Sequence, residues 1–153
     1  MIKNVIYANQ LSTYQSIKKK ARILMQESCT LIGVVDETGV LEPDEIFVQI
    51  RKDNFSEREF ADSDPFAFAD KEEKPSHILT SQLLVTRNPC LNPGDLRLLQ
   101  GVDHPELRHL YNVVVFSSKG ERPTCNMMSG GDLDGDVYFV CWDQELISKL
   151  SVD

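Results

Sequence analysis

Hydrophobic and polar positions alternate with two different periods along this chain, and the switch between them organises it. From Ser12 to Glu27, Ile17, Ala21, Leu24 and Met25 recur at the i, i+4, i+7, i+8 spacing of one helix face. Lys18, Lys19, Lys20 and Arg22 take the other face, which reads as a solvated surface, with RNA contact as the alternative. The pattern then turns β-like. Cys29 to Asp36 is a short apolar run, and Asp36-Glu37-Thr38-Gly39 reads as a tight turn in which Gly39 is free to take a positive φ. Glu45 to Ile50, Leu83 to Arg87, Asn112 to Phe116 and Val137 to Trp142 are further predicted strands.

Between these strands Pro89, Pro93 and Gly94 break the chain, and Asp95 to Gln100 is expected to form one short helical turn. Asp143 is placed to cap a last helix running through Leu150, with Glu145 in its first turn. Residues 51–76 are polar and acidic and contain Pro65 and Pro75, so they read as a loop or insertion. Short strands with Pro/Gly corners predict a mainly β (α+β) fold, a small barrel with flanking helices. Sliding the chain by about fifty positions sets Gly33-Val34-Val35 against Leu83-Leu84-Val85 and Leu41–Val48 against Leu91–Leu98, as a duplicated β unit would.

Composition narrows the class. At 153 residues and 41% hydrophobic, the chain can bury one core and is expected to be a single domain, 1–153. No apolar run reaches the roughly 18 residues that span a bilayer, and the start lacks a signal-peptide pattern, so a soluble intracellular protein away from membranes is expected. Nuclear and cytoplasmic residence are not distinguished. Cys29, Cys90, Cys125 and Cys141 are widely separated, which favours reduced, inert thiols over a disulfide or zinc site. The net charge of −8 argues against a freestanding nucleic-acid binder. Much of that acidity lies in the middle segment, where residues 36–75 carry thirteen acidic and five basic side chains.

A second part of it is the run Gly130-Gly131-Asp132-Leu133-Asp134-Gly135-Asp136. On an extended strand Asp132 and Asp136 would lie about 13 Å apart, whereas one Mg²⁺ takes oxygens at about 2.1 Å, so a shared ion requires the segment to curl. Gly135 permits the bend, Gly130 and Gly131 permit close approach, and Leu133 is expected to anchor the loop in the core. Three crowded carboxylates repel, which suits a hard cation better than a purely structural role. A polar surface turn is the bland alternative. An EF-hand opening at Asp132 fails, because its sixth and twelfth positions are Val137 and Asp143 and the exit is β-like. A Mg²⁺ loop of this kind serves nucleotidyl transfer, and equally a metal-dependent phosphodiesterase or nuclease. A non-catalytic interaction module working through the acidic segment stays open as a third class. His77, His104 and His109 have no ligand spacing.

Wider context carries a resemblance. Arg87-Asn88-Pro89-Cys90-Leu91-Asn92-Pro93-Gly94-Asp95-Leu96-Arg97 is followed by Asn112–Phe116, Lys119-Gly120-Glu121-Arg122-Pro123, the aspartate run, Tyr138-Phe139 and Trp142-Asp143. In order and spacing these blocks closely resemble the catalytic region of the eukaryotic cellular RNA-dependent RNA polymerases of RNA silencing. The resemblance implies a double-psi β-barrel, with Asp132, Asp134 and Asp136 as catalytic, metal-holding aspartates. It implies Mg²⁺, or Mn²⁺ in its place, as cofactor, and an RNA template, RNA product and nucleoside triphosphates as partners. In the related multisubunit enzymes an arginine two residues before a proline reads the nucleotide sugar. Arg87-Asn88-Pro89 is similar, making Arg87 and Asn88 substrate-binding candidates, together with Lys119 and Arg122. Polymerases of this family are far longer and set a second, basic barrel opposite this one. The chain is thus expected to be a fragment, inactive without that barrel and the remaining domains.

Overall fold

A computed structural model describes residues 27–51, 76–90 and 92–150, together with Gln10, Leu11, Tyr14, Gln15, Ile17, Lys18, Lys19 and Met25. The described positions from Gln10 to Lys19 are helical and exposed, while Ala21 and Leu24 of the expected N-terminal helix lie outside the described residues. Residues 52–75 of the acidic segment lie outside them as well. Among the described residues no helix is long and apolar enough to cross a membrane.

Seven strands follow: β1 (Ser28–Val35), β2 (Glu45–Arg51), β3 (Ser76–Ile78), β4 (Gln82–Arg87), β5 (Arg97–Gly101), β6 (Val113–Phe116) and β7 (Val137–Cys141). Their order is β3-β2-β5-β4-β7-β1-β6, and β6 pairs back onto β2, so all but β3 close into a six-stranded barrel. Two neighbouring pairs are parallel, β1 with β6 and β2 with β5, and the other four are antiparallel. The architecture is mainly β, the expected double-psi β-barrel with a few short helices around it.

The pairing pattern is unchanged when β1 is exchanged with β5, β2 with β6 and β4 with β7. The fifty-residue offset instead equates β1 with β4 and β2 with β5, which does not preserve the parallel pairs. That internal similarity therefore does not describe the symmetry of the barrel.

The strand sequences explain the closure. In β4, Leu83 and Val85 face a core shared with Leu31, Ile46, Val48, Leu99, Val114, Phe116, Tyr138 and Val140, all buried. Alternate residues face outward but are covered too. Phe47 and Val115 pack with Leu41 and Leu107, and Leu84 and Cys141 pack with Ile147. Strands covered on both faces read as continuous apolar runs, as Val113-Val114-Val115-Phe116 does. Ile147 belongs to α1 (Gln144–Lys149), whose N-terminus is capped by Asp143 accepting from the amides of Glu145 and Leu146.

One expectation is corrected. Residues 97–101 form β5 rather than a helical turn, and the turn sits earlier, as 3₁₀ structure at Pro93–Asp95. Leucine-rich Leu96, Leu98 and Leu99 read as helical, but antiparallel pairing of Arg97 to Gln100 with β4, and of Gln100 and Gly101 with β2, decides the strand. Gly101 lies so close to the Leu79 carbonyl oxygen that a Cβ there would clash with it. The short β3 carries too few residues for an alternation to show.

Candidate metal-binding loop

Ser129 to Asp136 links a 3₁₀ turn (Thr124–Met127) to β7, at the end of β7 nearest Arg87. Four of its residues have positive φ: Ser129, Gly130, Leu133 and Gly135. This succession of left-handed residues curls the segment. The Asp132 amide donates to Asp136 Oδ2 at 3.1 Å, and the Asp134 amide to Asp132 Oδ1 at 3.2 Å. The loop is therefore curled rather than extended.

Its underside is built on two glycines. Leu133 packs against the barrel core over Gly33 of β1, whose ideal Cβ would fall 2.7 Å from a Tyr138 ring carbon and 2.8 Å from Leu133 Cδ2. The Gly33 amide donates to the Asp136 carbonyl at 3.1 Å, fixing the loop's exit to the barrel wall. Gly131 is the second. A Cβ there would lie 2.7 Å from the Cys125 carbonyl oxygen and 3.3 Å from Arg87 Cδ, besides striking the Tyr138 hydroxyl. Gly130 and Gly135 serve conformation instead, with φ of 69° and 80° and open space around them.

Arg87, at the end of β4, reaches across the loop. Its Nη2 pairs with Asp136 Oδ1 at 2.7 Å, and its Nη1 donates to the Ser129 carbonyl at 3.2 Å. The guanidinium beside Asp136, helped by the Asp132 amide and opposed by partial burial, holds that carboxyl below the usual carboxylate range. Tyr138 is fully buried beneath, its hydroxyl without a hydrogen-bond partner among the described residues. Burial pushes that hydroxyl's pKa up, and the nearby Cys125, Asp136 and Asp132 add to the shift.

The other sequence candidates make contacts of their own. Lys119 pairs with Glu42 at 2.6 Å, on the corner before β2. Arg122 braces the 3₁₀ turn, donating to Asn126 Oδ1 at 2.8 Å and to the Asn126 carbonyl at 3.0 Å. Neither makes an ion pair or hydrogen bond with the three aspartates. Asn88 is exposed, and its backbone amide donates to the Val137 carbonyl at 2.8 Å, following a strand that ends in Arg87.

Two residues the sequence reading passed over belong to the loop. Asp95 accepts from both the Ser129 amide and the Ser129 hydroxyl, across 34 positions of sequence. Tyr138 lies under Gly131, and only its place two residues after Asp136 hinted at a role.

The donor set suits a divalent cation. Asp132 and Asp134 are exposed, and Asp132 Oδ2 and both Asp134 oxygens have no hydrogen-bond partner among the described residues. Asp136 commits one oxygen to Arg87 and the other to the Asp132 amide. Among the described residues no three acidic, histidine or cysteine side chains already surround one point, so uptake of an ion requires these carboxylates to turn inward. Hard oxygens in one short loop are what Mg²⁺ selects.

Residues 1–152 match the family model described as RNA dependent RNA polymerase. RNA-dependent RNA polymerase 1 of Arabidopsis thaliana is 42% identical over 133 residues, 86% of this chain and 10% of the relative. RNA-dependent RNA polymerase 1 of Schizosaccharomyces pombe is 38% identical over 143 residues, 88% of this chain and 11% of the relative. A solved structure, the RNA dependent RNA polymerase QDE-1 from Thielavia terrestris, superposes with a TM-score of 0.75 at 29% identity, covering 99% of this chain and 15% of that one. The chain thus spans roughly a tenth to a sixth of the length of the curated relatives it matches, 12% of a rice relative named as a probable RNA-dependent RNA polymerase. With a family model matched almost end to end and a barrel that superposes on a solved polymerase, the chain belongs to the RNA-dependent RNA polymerase family.

Proposed function

We propose that this chain is the metal-holding barrel of an RNA-dependent RNA polymerase that adds nucleotides from nucleoside triphosphates to an RNA 3′-hydroxyl on an RNA template, in RNA silencing. The observation that carries the reading is the curled loop of Asp132, Asp134 and Asp136, facing Arg87 on a barrel of the polymerase family.

In this reading the three aspartates hold catalytic Mg²⁺, replaceable by Mn²⁺. The ion would supply positive charge against the triphosphate and favour the ionised 3′-hydroxyl. The chain's own residues prepare that site. Gly33 and Leu133 fix the loop on the barrel wall, and Gly131 lets it lie against Tyr138. Arg87 orients Asp136, and its side chain, 28% exposed, is placed to contact a ribose hydroxyl or phosphate oxygen once substrate arrives. Asn88 adjoins Arg87, while Lys119 and Arg122 bond Glu42 and Asn126, so Arg87 is the first candidate for substrate contact.

The net charge of −8 leaves the attraction of RNA to the parts of the parent polymerase beyond this chain, a second barrel among them. Pure 153-residue chain is accordingly expected to make no RNA. Replacing Asp134 by Ala in the complete polymerase should abolish nucleotide addition and leave the fold unchanged, since the side chain is exposed. Synthesis at the wild-type rate in that variant would exclude the assignment.

A further inference from the structure

Ser129 opens the aspartate loop at a φ of 53°, a left-handed conformation that residues with a Cβ rarely adopt. All three of its polar groups are engaged. Its amide donates to Asp95 Oδ1 at 3.0 Å, its hydroxyl donates to Asp95 Oδ2 at 2.6 Å, and its carbonyl accepts from Arg87 at 3.2 Å. The same guanidinium holds Asp136 at the far end of the loop. A continuous chain of contacts therefore runs Asp95–Ser129–Arg87–Asp136, tying the loop's first residue to its last aspartate.

Asp95 itself sits on a firm base. It ends the 3₁₀ turn Pro93–Asp95, where proline restricts the backbone, and its Oδ2 also accepts from the Asn92 amide at 3.3 Å. Both carboxylate oxygens face donors. An amide at this position would set an NH₂ against one of them, and a glutamate would carry its oxygens one methylene too far from Ser129.

We propose that Asp95 is a positioning residue for the metal loop: its two-point grip on Ser129 holds the segment in the curled conformation that the three aspartates need. The proposal rests on the reading of that loop as a divalent-cation site. These contacts are solvent-exposed, so they add little to the stability of the barrel. Their effect falls on the local opening of residues 129–136.

The test compares wild-type chain with Asp95→Asn and Ser129→Ala by melting temperature, amide hydrogen exchange, and Mn²⁺ titration by calorimetry. Asp95→Asn should melt within about 3 °C of wild type. Its amides from 129 to 136 should exchange about tenfold faster, and its Mn²⁺ affinity should fall about tenfold, the lower end of what loss of an outer-shell partner costs. Ser129→Ala, which loses only the hydroxyl contact, should fall between the two and carries the test should Asp95→Asn fail to fold. Wild-type Mn²⁺ affinity in both variants, or loop exchange no faster than wild type, overturns the proposal. Failure of the wild-type chain to bind Mn²⁺ counts against the cation site, and the exchange rates then decide the grip by Asp95 separately.

Discussion

Replacing Gly131 by Ala puts a methyl group into a gap that has no room for it. The added Cβ would strike the Tyr138 hydroxyl and sit 2.7 Å from the Cys125 carbonyl oxygen, where carbon and oxygen normally approach no closer than about 3.3 Å. The carbonyl cannot retreat, because it accepts the Met128 amide at 3.1 Å within the turn that leads into the loop. Overpacking against such atoms costs about 1–3 kcal/mol, and two unyielding contacts place Gly131→Ala near the top of that range. For a chain of this size each kcal/mol lowers the melting temperature by about 2–4 °C, so a fall of about 5–10 °C is expected in thermal unfolding. Tyr138→Phe separates the two contacts. Alone it removes a fully buried hydroxyl that has no partner, and should leave stability unchanged or raise it by about 1 kcal/mol. Combined with Gly131→Ala it relieves the hydroxyl contact but not the carbonyl one, so a double-mutant cycle should return a coupling of about 1 kcal/mol. Gly131→Ala melting with wild type, or a loss above 1 kcal/mol in Tyr138→Phe alone, would refute the packing described here.

Gly33→Ala pushes a methyl into Tyr138 and Leu133, and should cost about 1–3 kcal/mol in urea denaturation while loosening the loop's exit. Asp36 is buried and burial alone would raise its pKa, but hydrogen bonds from the amides of Leu41, Gly39 and Thr38 and from the Thr38 hydroxyl hold it below the usual range. A depressed folded pKa gives stability that is present above the unfolded value of about 3.9 and lost as pH falls through the folded one. Asp36→Asn should therefore be about 2 kcal/mol less stable at pH 7, with a flatter loss of stability below about pH 4. Arg87→Ala should move the Asp136 titration midpoint, followed by carboxyl NMR, upward toward the ordinary value. An unchanged midpoint would mean that the ion pair does not set it.

How much of this was legible beforehand depended on the range of the interactions. Strands such as Val113–Phe116, apolar on both faces, and the Asp36 turn, closed through its own side chain, are local and could be read directly. The three aspartates and the bend at Gly135 were equally visible, since curling is a property of five consecutive residues. Residues 97–101 were not, because their leucines satisfy a helical period as well as a strand, and only the partners β4 and β2, distant in sequence, decide. Nor was the grip of Asp95 on Ser129, which joins positions far apart in sequence through loop geometry alone. Nor were the partners of Lys119 and Arg122, which bond Glu42, 77 positions away, and Asn126.

The central claim is that Asp132, Asp134 and Asp136 turn inward onto a single divalent ion. Anomalous diffraction from crystals of this chain grown in Mn²⁺ tests it most directly. One manganese peak ligated by carboxylate oxygens of all three, and lost in Asp134→Ala, is the result expected. Three carboxylates pointing apart at saturating Mn²⁺, with manganese elsewhere or nowhere, would contradict it.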